Sequence, residues 1–282
     1  MTFAGIPMAT SFIPEIWAAE AQVKLDDTLV FGSRFAVNRD YEGEIADQGD
    51  TVRIPNLADP EVVDYTAYTS YDYKRLDISH QDLKIDRGKA TFVKVDDVEQ
   101  AQTAAGFNIL GEASRRMGYV FAHEMDTHIG AQMATAATQV EMASAPTTGD
   151  AFYKGILKLR TLLSDNGVPL GARFLVINPA AEELLLDCDK FIAAANYGNA
   201  EPIQNGRIGS IVGFNVLVTQ NMPAGPLAIA GHPLATTVAQ QIVRTEPERL
   251  QGTFASAVKM LNVYGMKVLE PKALTKLTVK AG

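Results

Sequence analysis

The sequence predicts an α+β fold, and three observations carry that expectation. From Asp96 to about Ala137 the chain runs without a proline and with helical periodicity. Upstream, two apolar-alternating stretches flank an acidic, tyrosine-rich segment, the pattern of a long hairpin. Downstream, short apolar runs alternate with amphipathic ones over about a hundred residues, the pattern of a compact α/β domain.

The chain has 282 residues, of which 47% are hydrophobic. That is enough for one large core or two modest ones, and it excludes wholesale disorder. The formal net charge of −8 argues against a dedicated nucleic-acid binder, which would concentrate excess lysine and arginine. Cys188 is the only cysteine, so no internal disulfide can form and a reducing compartment is expected. Lys24 is the first basic residue, so the N-terminus lacks the charged start of a signal peptide. No apolar run approaches the length of a membrane span. The expectation is a soluble protein, made in a cytoplasm, with no membrane partner.

Residues 1–33 read as an arm rather than a domain. Pro14 can open a short helix whose apolar members are Ile16, Trp17, Val23, Leu25 and Leu29. Nothing nearby completes a core around them, so they should pack on a distant part of the chain, with Trp17 as an anchor. From Asn38 to Asp86, twelve acids face five bases. Thr51 to Pro55 alternates like a strand, as does Lys74 to Ile85 with Leu76, Ile78, Leu83 and Ile85. The tip between them holds Asp59-Pro60 and Tyr65, Tyr68, Tyr71 and Tyr73. Two strands with a long tip are marginal alone in water. The tyrosines fit an adhesive contact surface, where rings give large area at low entropy cost, and equally fit ordinary strand propensity.

In the long helical stretch, Asp96 or Asp97 can cap the first turn. At about 100° per residue, Ile109, Leu110, Ala113, Met117, Val120, Phe121, Met125 and His128 share one broad sector. Glu112, Arg115, Arg116, His123 and Asp126 fall opposite. One continuous helix here would be roughly 60 Å long, a spine rather than an ordinary helix. Gly106, Gly111, Gly118 and Gly130 each cost about 1 kcal/mol against alanine, which a bend or close approach by another chain would explain.

Ser144 to Gly149 reads as a linker. A helix follows from about Asp150 to Ser164, with Phe152, Ile156, Leu159 and Leu163 on one face and Asp165-Asn166-Gly167 as its stop. Arg173 to Ile177 is a buried-type strand, and Asn178-Pro179 starts a helix carrying Leu184 to Leu186. Ile208 to Thr219 and Leu227 to Ala230 add strands, Leu234 to Ile242 is ambiguous, and the chain from Phe254 reads as strands that return elsewhere.

No catalytic, cofactor-binding or metal-binding constellation emerges. In His123-Glu124-Met125-Asp126-Thr127-His128 the histidines stand five apart, about 140° around a helix, so they cannot share one zinc ion there. Glu124 and His128 share a face, but two ligands are too few for zinc, and a paired Glu and His at a helix or subunit contact is the better account. Gly206 to Gly213 has glycines near phosphate-loop spacing without the Gly-Lys-Ser/Thr ending, so it reads as a turn entering a strand. His80 and His232 stand apart from any nucleophile pattern. Cys188 lies between acids that would raise its pKa and quiet it.

The order of parts, with local signatures, resembles the major capsid proteins of tailed bacteriophages, the Hong Kong 97 capsid fold. The residues that carry it are Phe12 to Trp17, Gly49 to Pro55, Val176 to Pro179, Gly206 to Phe214, Asn221 to Pro223 and Tyr264 to Pro271. The resemblance implies an N-terminal arm (1–33), an extended β-hairpin loop (34–90), a peripheral domain with the long spine helix (91–148 and 250–282) and an α/β axial domain (149–249). It implies a non-enzymatic coat protein that self-assembles as hexamers and pentamers into an icosahedral shell around double-stranded DNA. Expected partners are further copies, a portal, a decoration protein and non-specific contact with packaged DNA. In that family the extended loop lies over a neighbouring subunit, and the spine helix lies on the inner side. Some relatives carry an N-terminal scaffolding segment; the arm motif begins here at Phe12, which implies a separate scaffolding protein. Some relatives fuse subunits through a loop lysine, yet Asn38 to Tyr73 contains none. Two rival readings are an encapsulin-like nanocompartment shell and a soluble metal-dependent hydrolase.

Overall fold

The computed structural model describes residues 14–42, 51–57, 62–71, 75, 78–102, 109–188 and 209–280. Expectations at Phe12, Leu76, Tyr73, Gly106 and Gly206 to Ile208 lie outside them, as do those for the side chains of Ile16, Trp17 and Leu110.

Pro14 opens helix α1 (Pro14–Thr28), where proline's missing N–H leaves no bond unmade. Strands β1 (Thr51–Leu57) and β2 (Ile78–Lys84) then form the expected antiparallel hairpin, in register from Thr51↔Lys84 to Leu57↔Ile78. Strand β3 (Arg87–Asp96) follows, an element not anticipated from the sequence. Asp96 ends it, and the Asp96 carboxylate accepts the Val98 N–H at 2.8 Å, starting helix α2 (Asp97–Gln102). The described part of the long helix is α3 (Ile109–Ala136), of 28 residues. That part runs about 42 Å, and the roughly 60 Å helix expected from Asp96 crosses residues 103–108, which lie outside the described residues.

Strand β4 (Thr138–Met142), also unanticipated, precedes helix α4 (Gly149–Asp165), which Thr148 caps and Asn166 ends. Phe152, Ile156, Leu159 and Leu163 are all buried, as their spacing predicts. Strand β5 (Phe174–Ile177) is buried along its length, and Asn178 caps helix α5 (Pro179–Leu186) by accepting the Ala181 N–H at 2.8 Å. The run expected as one strand from Ile208 is a hairpin of β6 (Ser210–Ile211) and β7 (Phe214–Val218), because Val212 and Gly213 both adopt positive φ. Four strands complete the chain: β8 (Pro226–Gly231), β9 (Thr236–Arg249), β10 (Ala255–Val268) and β11 (Leu274–Val279).

The strands make a six-stranded mixed sheet, β4-β11-β8-β5-β7-β6, and a three-stranded antiparallel sheet, β3-β10-β9. Alternation along β5 splits its side chains between two cores. Leu175 and Ile177 pack with Phe152, Ile156 and Leu159 of α4. Phe174 and Val176 pack with Met125, Ile129 and Met133 of α3. Helices thus cover both faces of the larger sheet. The sheets draw strands from both sides of residues 148 and 249, since β4 and β11 join the six-stranded sheet while β9 joins the three-stranded one.

Helix α3 carries two buried rows at four-residue spacing. Met117, Phe121, Met125, Ile129 and Met133 form the large row and fill the main core. Gly118, Ala122, Asp126, Gly130 and Ala134 form a small row, where the arm seats. A Cβ on Gly118 would lie 2.2 Å from the Ala21 carbonyl oxygen of α1, and the Phe31 ring lies against Gly130. Close approach therefore explains these glycines, and the approaching segment is this chain's own arm. Leu25 and Leu29 are buried there, while Val23 and, on α3, Val120 are exposed, against the expected apolar sectors.

Candidate functional site

The hairpin is anchored at its base and projecting at its tip. Val52, Ile54, Leu83 and Ile85 bury their side chains against Ala239 and Val263. Gly265 of β10 lets the strand return close, since a Cβ there would lie 2.1 Å from the Lys84 carbonyl oxygen. A hairpin marginal by itself thus gains its stability from the three-stranded sheet.

Beyond the paired strands, Val62 is 94% exposed, Tyr65 83% and Tyr68 fully, with Tyr71 more buried. None of these tyrosines lies in a strand, so strand propensity does not account for them. Tyr65 and Tyr71 stack with ring centroids 6.4 Å apart and planes at 27°. The Tyr71 hydroxyl donates to the Asp64 carbonyl at 2.9 Å and accepts the Thr66 N–H. Tyr68 then stands outward at φ 63°, a region that L side chains seldom adopt. The tip is organised by its own aromatic pair and presents apolar area to solvent.

The second feature joins the arm to the spine. Asp126, expected on the polar side of the helix, is buried. Its carboxylate accepts the backbone N–H of Val30 at 2.9 Å and of Gly32 at 3.0 Å. Burial pushes its pKa up to about 6, although those backbone donors and the Asn221 side chain pull the other way. The arm is tied further by Arg39, which bridges Asp26 at 2.9 Å and Glu42 at 2.7 Å.

The histidine-containing stretch of α3 is divided by function. His123 is exposed, and Glu124 pairs with Lys89 of β3 rather than with His128. The Lys89 hydrogen bond lowers the Glu124 pKa. His128 instead meets the edge of the Tyr264 ring, with centroids 5.7 Å apart. Burial holds the His128 pKa below its usual value, with Arg87 adding to the effect. The remaining candidates lie elsewhere. His232 is buried and accepts the Leu234 N–H at 3.2 Å, His80 lies exposed on β2, and the buried Cys188 thiol donates to Asp150 at 3.7 Å. Arg115 reaches Glu112 at 3.4 Å and Glu20 at 3.6 Å, and Arg116 is exposed beside it. Among the described residues no group of three or more His, Cys, Asp or Glu is placed to hold a metal ion. No described helix is long and apolar enough to cross a membrane.

The sequence named the tip tyrosines but missed Asp126. Its neighbours Ala122 and Gly130, small residues four apart on either side, were the available signal of a second buried row.

A family model described as phage capsid protein matches residues 83–277. No curated protein is a significant match. A solved structure from Mycobacterium phage Che8 aligns over 88% of this chain and 90% of its own, at 28% identity and a TM-score of 0.71. The capsid structure of the cyanophage P-SCSP1u covers 90% of this chain and 89% of its own, at 14% identity and a TM-score of 0.71. A virus-like particle from Pyrococcus furiosus covers 93% and 98%, at 12% identity and a TM-score of 0.57. The last two likenesses are of fold alone.

Proposed function

Since the chain belongs to the phage capsid protein family, we propose that its copies close as hexamers and pentamers into an icosahedral shell around phage double-stranded DNA. It is a structural major capsid protein of the virion, and it self-assembles into an oligomeric shell rather than catalysing a reaction. The observation that carries the finer reading is the hairpin, built into the subunit at its base and presenting exposed tyrosines at its tip. Such a tip gains stability only by burying that area against another surface, here a neighbouring copy.

In this reading residues 1–33 act as the arm, 34–90 as the extended loop, 91–148 with 250–282 as the peripheral domain, and 149–249 as the axial domain. Assembly takes place in the host cytoplasm with a separate scaffolding protein, a portal and a decoration protein. Arg115 and Arg116 face the packaged DNA and contact phosphates without sequence preference. Electron microscopy of particles from infected cells tests the reading: closed shells holding double-stranded DNA support it. Shells holding a cargo enzyme would replace it with a nanocompartment. Correctly sized shells from this protein expressed alone would remove the scaffolding partner.

A further inference from the structure

Beneath α3, the inner face of the three-stranded sheet is unusually polar for a core. Lys89 of β3 pairs in register with Asn262 of β10, and Tyr264 of β10 pairs with Gln240 of β9. Direct partners in a sheet point the same way, and so do residues two apart on one strand. Lys89 reaches Glu124 of α3 and Tyr264 reaches His128 of α3, so Asn262 and Gln240 lie on that same face of the sheet, where the Gln240 amide also donates to Asp26 of α1 at 3.5 Å. Asn262 and Tyr264 are each 1% exposed and Gln240 5%.

Five polar atoms in this seam are buried without a hydrogen-bond partner in the chain: His128 Nδ1, Gln240 Oε1, Tyr264 Oη, and both Asn262 Oδ1 and Nδ2. A buried polar atom left unmatched costs on the order of 1–3 kcal/mol, so five together in one place demand a common partner. Their chemistry selects it. The two amide oxygens accept, the Asn262 amide donates, and the Tyr264 hydroxyl and His128 ring can each do either. Tyr264 keeps its proton, since burial pushes its pKa up to about 12. A cation would meet the Asn262 amide protons and the nearby Lys89 and Arg87; an anion would meet two amide oxygens and Glu124. Only a small neutral molecule that both donates and accepts satisfies the whole set.

We propose that the seam between α3 and the three-stranded sheet is a built hydration site, in which about two ordered water molecules, each making about three bonds, bridge His128, Gln240, Asn262 and Tyr264. The Lys89–Glu124 ion pair lies over its half-buried side, next to His128. The inference concerns the subunit interior and does not depend on the shell reading.

The test is a map of the assembled protein at a resolution that shows ordered water, together with thermal unfolding of Tyr264→Phe and Asn262→Leu. The expected result is density within hydrogen-bond distance of Asn262 and Tyr264. Tyr264→Phe should lower Tm by about 2–4 °C, and Asn262→Leu by more, because it removes a donor and an acceptor together. Absence of density there overturns the proposal whatever the variants do. So does water density with Asn262→Leu leaving Tm unchanged or raised, because the site would then not be built to hold it. Density ringed by oxygens alone, with Tm rising on addition of potassium, would overturn it in favour of a cation.

Discussion

Acid should stabilise this subunit through Asp126, against the usual direction for a carboxylate. Burial raises its folded pKa from the ordinary aspartate value of 3.8 to about 6, and the side chain is 1% exposed. A group with a raised folded pKa holds its proton more tightly when folded. Its contribution is complete below the unfolded value and is lost as pH rises through the folded one. The difference between the unfolded and folded values corresponds to about 3 kcal/mol between those limits. Lowering pH from about 7.5 to 5 covers part of that window and should add about 1.4 kcal/mol, or about 3–5 °C in Tm. Glu42 titrates in the same direction, its pKa raised by burial against the pull of Arg39, so wild type alone does not isolate Asp126. Asp126→Asn does. Urea unfolding of dissociated subunits at both pH values should show wild type gaining about 1.4 kcal/mol more than the variant. Parallel pH profiles would refute the reasoning, because the buried carboxylate would then carry no raised pKa.

Four further outcomes are expected. Gly118→Ala should cost about 1–3 kcal/mol by forcing a Cβ into the Ala21 carbonyl, read by urea unfolding. Replacing Asn56 to Tyr73 with a short Gly-Ser turn should leave a folded subunit with a sharp melting transition that forms no closed shells by microscopy, since the buried hairpin base at Val52, Ile54, Leu83 and Ile85 is retained. Shells should dissolve to 30 kDa monomers in denaturing electrophoresis, because Asn38 to Tyr73 lacks the lysine an isopeptide bond would need; a ladder of covalent oligomers would contradict this. Reversing the charges of Arg115 and Arg116 should reduce packaged DNA more than shell number, with the deficit easing as salt rises and screens the phosphate contacts.

Much of the local punctuation in the sequence was legible. Pro14, the Asp96 cap and Asn178-Pro179 at the start of α5 all act where their chemistry predicts, whereas Thr148 and Gly149, read as the end of a linker, cap and open α4. Those signals need only the few residues around them. Strands β3 and β4 escaped because each is half-exposed and short of apolar residues; what makes them strands is the partner β10 or β11, more than a hundred residues away. The tip tyrosines could be named but not interpreted, since exposure and stacking are tertiary facts. Tyr65, Tyr68 and Tyr71 lie outside any strand, which removes strand propensity as their explanation.

The long helix shows why the rest could not be read. A single apolar sector assumes one neighbour, and α3 has two. Its large row meets the sheets, and the sequence displays that row plainly in Met117, Phe121, Met125, Ile129 and Met133. Its small row meets the arm, and small residues carry no apolar signal. Asp126 looked like a solvent-facing charge because charge usually means solvent. Here it stands between Ala122 and Gly130, where the arm's backbone comes close enough for Val30 and Gly32 to donate to it. A carboxylate is the side chain that can satisfy two such donors at once, and small neighbours are what allow the donors to arrive. The glycines and the buried acid are therefore one device, which seats the arm on the spine.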